Sequence, residues 1–178
     1  MNILKQRIKE KGYLLADGAT GTNLFAMGLE SGDSPEFWNV EYPERVAQNH
    51  ASFIDAGSDI ILTNTFGANS FRLQLHNAEK EVSKLNYEGV LIAKKVVIDS
   101  KKNTLIAGSI GPTGEIIEPL GSVTWLETTE AFLEQAQALH DGGVDFFWIE
   151  TMSSEDEMRC ALNATKGFGI PTICSYSF

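Results

Sequence analysis

The chain has little of what marks the special classes of protein. Its 178 residues include two cysteines, Cys160 and Cys174, which are too few for a disulfide framework and lack C-x-x-C spacing. Both read as small buried apolar residues. Histidine is scarce as well. His50 falls on the apolar side of a helical pattern, His76 lies in the polar stretch Gln74-Leu-His-Asn77, and His140 falls in a last helical turn. None of the three makes a strong general base. No apolar run approaches the roughly 20 residues that cross a bilayer, and the first residues lack a signal-peptide core. The expected compartment is therefore the cytoplasm. Lysine and arginine total 14 against 24 acidic residues, and this formal charge of -10 argues against nucleic acid or an anionic membrane as partner. There is no G-x-x-x-x-G-K-[ST] loop, no H-E-x-x-H pair and no nucleophile elbow. A small-molecule ligand is left as the default.

What is present is a regular alternation of strand and helix. Five short apolar runs, Tyr13 to Ala16, Asp59 to Leu62, Thr104 to Ala107, Asp145 to Ile149 and Pro171 to Tyr176, read as strands covered on both faces, as in parallel sheets. Between them lie helical patterns. Pro43-Glu44 opens one that turns Val46, His50, Phe53 and Ile54 inward and stops at Gly57. A second covers about Glu79 to Ile98 with Val82, Leu85, Ile92 and Val96 inward. A third covers about Thr129 to His140 with Phe132, Leu133, Ala136 and Leu139 inward. The fourth starts at Ser154-Glu-Asp-Glu157, which has capping-box spacing, and buries Met158, Ala161 and Leu162. An internal echo, Asp55-Ala-Gly-Ser-Asp-Ile-Ile-Leu-Thr-Asn-Thr65 against Asp141-Gly-Gly-Val-Asp-Phe-Phe-Trp-Ile-Glu-Thr151, fits stacked βα units. Periodicity leaves open whether the strands form an open sheet or part of a closed (β/α)₈ barrel, which typically needs about 250 residues.

Both architectures bind ligands at the carboxyl ends of their strands. Those ends are polar and glycine-rich here: Asp17-Gly-Ala-Thr-Gly-Thr22, Thr63-Asn-Thr-Phe-Gly67, Gly108-Ser-Ile-Gly-Pro-Thr-Gly114, Glu150-Thr151 and Ser175-Tyr-Ser177. Asp17 and Glu150 are carboxylates placed to face one pocket, and two anions in one cavity suit a cation such as an ammonium group. Asp17-Gly18 also reads as a plain turn. Glu150, directly after Phe146-Phe-Trp-Ile149, requires a partner or a task. The two glycine loops read as close backbone approach to a ligand or as tight turns.

With the strand ends laid out, the chain resembles the homocysteine-binding domain of homocysteine S-methyltransferases, most of all that of the cobalamin-dependent methionine synthases. The matching stretches are Asp17 to Thr22, Ala56 to Ala68, Gly108 to Glu115 with Pro119 to Ser122, and Phe147 to Thr151, in order along the chain. The resemblance implies a (β/α)₈ TIM barrel, with residues 1–178 as the N-terminal portion of that single domain and about five βα units present. It implies a Zn²⁺ held by three cysteine thiolates that activates the homocysteine sulfur for methylation to methionine. Asp17 and Glu150 would hold the amino group, the backbone of Gly18, Ala19 and Thr20 the carboxylate, and Thr65 and Ser109 would line the pocket. Cys160 and Cys174 match none of the family's zinc ligands, so no catalytic or metal-binding residue is expected in this chain, which alone would be inactive. The expectation is a piece of a longer methyltransferase, with a non-catalytic binding module as the alternative. Gly67 stands where betaine-using relatives carry an aromatic residue. That favours a methyl carried by cobalamin, with corrinoid- and folate-binding modules as partners, over betaine or S-methylmethionine.

Overall fold

The computed structural model describes residues 2–178. Four parallel strands, β1 (Ile60–Leu62), β2 (Leu105–Ile110), β3 (Phe146–Met152) and β4 (Thr172–Tyr176), lie side by side in chain order. Parallel neighbours need crossovers, and these are supplied by α6 (Val82–Ser100), α7 (Trp125–Gly142) and α8 (Glu155–Thr165). Before β1 come α1 (Ile3–Lys11), α2 (Thr20–Ala26), the short α3 (Trp38–Glu41) and α4 (Pro43–Ala56); the five-residue α5 (Ser70–Gln74) follows β1.

Side-chain alternation along the strands separates two faces. Ile61, Ile106, Ile110, Phe147 and Ile149 join Ile54 of α4, Val90 and Ala93 of α6, Phe132 and Leu139 of α7 and Ala161 of α8 in the main core. Ile60, Leu105, Ala107 and Phe146 face the other way, against Leu4 of α1. The long helices therefore all cover one face, so the unit is singly wound. Ser109 and Glu150 have the strand parity of Ala107 and Phe146, which places them on the face away from the long helices.

Tyr13 to Ala16 does not form the expected first strand. It makes one parallel bridge, Ala16 to Ile60. The reason is local: on each side of the bridge a ladder amide is taken by a carboxylate, the Leu15 N–H by Asp59 and the Leu62 N–H by Asp17, both at 2.9 Å. Tyr13 and Leu15 are exposed, so the segment is not covered on both sides. The internal echo holds in detail. Gly57 and Gly143 each end a helix in the left-handed conformation, at φ 105° and 90°. Asp59 and Asp145 each accept an amide of the preceding segment, Leu15 N at 2.9 Å and Ile106 N at 2.7 Å.

Several sequence-based boundaries move. β2 runs on through Gly108, Ser109 and Ile110, and β3 through Glu150 to Met152. α7 begins at Trp125, not Thr129, because Thr124 and Glu127 form a reciprocal capping box. Leu133 and Leu162, expected inward, are exposed; each follows a buried residue, Phe132 and Ala161, and one step along a helix turns a side chain about 100°.

His50 is fully buried, and neither ring nitrogen has a partner among the described residues. Burial holds its pKa down to about 4, from an ordinary value of 6.5. A base whose folded pKa is lowered stabilises the fold above its unfolded pKa, and that stability is lost as pH falls toward the folded value. Urea unfolding should therefore show roughly 3 kcal/mol lost between pH 7 and 4 through this group alone. The loss should be absent in His50→Gln, and equal pH slopes in the two proteins would contradict it.

Candidate functional site

A cleft of about 460 Å³ opens at the carboxyl ends of the strands. Its wall includes Gly18, Ala19, Thr20, Thr65, Ser109 and Glu150, six of the seven residues singled out from the sequence. Asp17 is not part of that wall; its carboxylate accepts the Leu62 amide at 2.9 Å.

Glu150 is presented by a break in β3. Pairing with β4 shifts register between Ile149 and Met152, and Thr151 adopts φ 62°. A β-branched residue in the left-handed region is rare and costs of order 1–3 kcal/mol, a form of strain that clusters at functional sites. The Ser109 hydroxyl donates to Glu150 Oε1 at 2.6 Å. Burial raises the Glu150 pKa, with the Ser109 bond opposing. Burial is also the main cause that raises Asp17, to about 7; the Leu62 amide opposes this and the charge of Glu150 adds to it. Among the described residues neither carboxylate forms a salt bridge. Two desolvated carboxyl groups, one of them raised further by the charge of the other and neither with a counter-ion among the described residues, favour a ligand that brings a positive charge.

Thr65 is fully buried. Its hydroxyl donates to the Ser109 carbonyl at 2.8 Å and shares a 2.7 Å hydrogen bond with Thr63. It supports the wall more than it offers a free donor. At the amino end of α2, Ala19 stands at the N-cap position and gives no side-chain cap.

Other residues of the cleft were not foreseen. Glu36 lies in the 3₁₀ turn Pro35–Phe37, is 4% exposed, and accepts the Gly67 amide at 2.6 Å and the Ser34 hydroxyl. Ser34-Pro35 has the look of a helix start, but nothing in that pattern signals a buried carboxylate. Arg72 and His76 also line the cleft, and His76 packs edge-on to Phe37 at 5.7 Å. Gln135 of α7 does not line the cleft but supports it, donating to the Thr65 carbonyl at 2.7 Å. Glu157, read from sequence as the second half of a capping box, instead accepts the Thr113 amide at 2.7 Å and its hydroxyl at 2.5 Å, tying the loop after β2 to α8. Ser154 alone caps the helix.

A singly wound parallel α/β unit, with carboxylates and glycine-rich loops gathered where its strands end, is the arrangement in which such proteins bind small molecules. The chain belongs to the homocysteine S-methyltransferase family, whose pattern it matches over residues 14–178. It is 28% identical over 175 residues to the methionine synthase of Mycobacterium tuberculosis and 29% identical over 177 residues to that of Mycobacterium leprae. Each alignment covers 93% of this chain but only 14% of the relative. The metallated form of the homocysteine methyltransferase MmuM from Escherichia coli superposes on 99% of the chain with a TM-score of 0.80 at 24% identity, over 66% of its own length. At that identity the superposition speaks for the fold alone.

The cysteines here do not fit the zinc site that the resemblance implies. Cys160 is buried in α8 with its thiol 3.7 Å from the Trp125 carbonyl, while Cys174 is exposed on β4. Desolvation raises both thiols, which opposes the thiolate a zinc ligand needs. Among the described residues no group of three histidine, cysteine or carboxylate side chains could hold a metal.

Proposed function

We infer that the complete protein methylates the sulfur of homocysteine, and that this chain contributes the part of the site that grips the amino acid. The observation that carries the reading is the pair Asp17 and Glu150: two carboxyl groups raised by burial, Glu150 in the cleft wall and Asp17 next to the wall residue Gly18, with no cationic side chain among the described residues paired to either. The ammonium of an amino acid supplies the missing charge through charge-assisted hydrogen bonds. The backbone of Gly18 to Thr20 would meet the carboxylate of the same ligand, and Thr65 and Ser109 would fix the wall around its side chain.

In this reading residues 1–178 are the N-terminal portion of a (β/α)₈ barrel. The chain's own contribution is then binding and orientation, and the zinc that activates the thiol would be held by residues outside 1–178. A corrinoid-borne methyl is the favoured donor, with corrinoid- and folate-binding modules as partners. A Cβ at Gly67 would lie 3.0 Å from Glu36 Oε1, so the aromatic residue of betaine-using relatives would not fit beside Glu36 as it stands.

The test is calorimetric titration of the full-length protein with homocysteine and with 4-mercaptobutyrate, which keeps the thiol and carboxylate but lacks the amine. Homocysteine is expected to bind and the deamino analogue to bind at least tenfold more weakly. Equal affinities would rule out the carboxylate pair as the anchor.

A further inference from the structure

We propose that Glu36 is a positioning residue for this cleft, acting on the bound amino acid through the loop that follows β1. The proposal rests on the homocysteine reading above. Glu36 borders the cleft and yet is 4% exposed. Among the described residues no lysine, arginine or histidine forms a salt bridge with it. A carboxylate out of water without a counter-ion is costly and persists where other donors compensate. Here the donors are the Gly67 amide, 2.6 Å from Oε1, and the Ser34 hydroxyl on Oε2.

The same short segment holds the loop at a second point. Asn39 Nδ2 donates to the Asn64 carbonyl at 2.8 Å, and Asn64 Nδ2 donates to the Pro35 carbonyl at 2.8 Å and to Asn39 Oδ1 at 3.0 Å. The loop from Thr63 to Gly67 is thereby laced at both ends to residues 34–39. Gly67 is the point of closest approach, since a Cβ there would crowd Glu36 Oε1 at 3.0 Å. Between the two fastenings lies Thr65, whose hydroxyl donates to the Ser109 carbonyl, and the Ser109 hydroxyl in turn donates to Glu150. The Glu36 clamp and the proposed ammonium anchor are thus joined by an unbroken series of hydrogen bonds and short backbone steps. Glu36 Oε1 holds the Gly67 end of that series at 2.6 Å, shorter than an ordinary amide hydrogen bond.

The experiment uses the full-length protein. Glu36→Gln keeps the shape and removes the charge. It should raise the KM for homocysteine about tenfold with kcat changed less than about twofold, and should speed hydrogen exchange at the Gly67 amide in the ligand-free protein. Gly67→Ala should disturb the same contact from the other side. The double variant should be no worse than the worse single variant, because both break one interaction. An unchanged KM in Glu36→Gln, or effects that add fully in the double variant, would overturn the proposal. If Glu36→Gln does not fold, Ser34→Ala is measured in its place: it removes one donor to the same carboxylate, and an unchanged KM there overturns the idea equally. The exchange readout needs no substrate. Faster exchange at Gly67, combined with homocysteine affinity unmoved by Asp17→Asn, would sink the homocysteine reading while leaving the clamp standing.

Discussion

Homocysteine affinity in the full-length protein is expected to fall at least about thirtyfold in Asp17→Asn and in Glu150→Gln, from the loss of about 2–5 kcal/mol when one partner of a desolvated charge pair is removed. Both replacements are nearly isosteric. The side-chain oxygen of the asparagine would still accept the Leu62 amide, and that of the glutamine would still meet the Ser109 hydroxyl, so the bonds that shape the cleft are kept. Only the charge is withdrawn. The effect on folding should run the other way. Burial raises Asp17 to about 7 from an ordinary 3.8. A carboxyl group with a raised folded pKa adds stability that is fully present below its unfolded pKa and is lost as pH rises through the folded one. Neutral asparagine avoids that loss, so at pH 8 the unliganded variant should unfold at the same urea concentration as the parent or a higher one. Affinity in the parent should also climb with pH. Below pH 7 the proton on Asp17 must leave before the carboxylate can hold an ammonium group, so log Kd should change with pH by up to about one unit per pH unit more in the parent than in Asp17→Asn, and that difference should level off above 7. Affinity that is flat from pH 5.5 to 8, or variants that bind as the parent does, would remove Asp17 and Glu150 from the site.

The opposition between stability and binding accounts for what could be read from the sequence. Acidic groups at the end of apolar runs are locally inconsistent, and such inconsistency marks function. That is why the position of Glu150 at the cleft could be expected from Phe146-Phe-Trp-Ile149 before it, whereas Asp17-Gly18 reads equally as a plain turn. The parallel order and the helix faces of α4 and α6 followed from punctuation and period. The short range of periodicity explains the misses. It could not tell that Leu133 and Leu162 sit one step past the inward stripe, nor that Asp17 would take the Leu62 amide and stop the first strand after one bridge. Glu36 and Gln135 were invisible for a different reason. Each has a key partner more than 30 residues away, Gly67 for Glu36 and Thr65 for Gln135, and no local pattern encodes that contact. Glu157 was misassigned because its spacing from Ser154 satisfies a capping rule, while the contact that wins is with Thr113.

The second large effect belongs to the opposite face of the sheet. Phe147 is fully buried between the neighbouring strand positions Gly108 and Thr172, and its ring meets Phe168 edge-on at 5.5 Å and 68°. Gly108 leaves α7 close to the sheet at this point, since a Cβ there would lie 3.1 Å from Leu139 Cδ1 and 3.3 Å from Val144 Cγ1. Walls held this closely cannot collapse far into a void, so Phe147→Ala should cost about 3–5 kcal/mol, the sum of lost transfer energy and cavity. Phe147 has the strand parity of the main core, whereas Glu150 has that of the cleft face and is fixed by Ser109 and the irregularity at Thr151. The folded fraction of Phe147→Ala should therefore bind homocysteine within about threefold of the parent, since a distant, separately held group adds independently. Urea unfolding and titration at low temperature separate the two quantities. A stability loss under about 1 kcal/mol would mean that the helix-side core closes up when the ring is gone. A large fall in affinity at full occupancy of the folded state would mean that the two faces of β3 are mechanically coupled, and that the core positions Glu150 as firmly as Ser109 does.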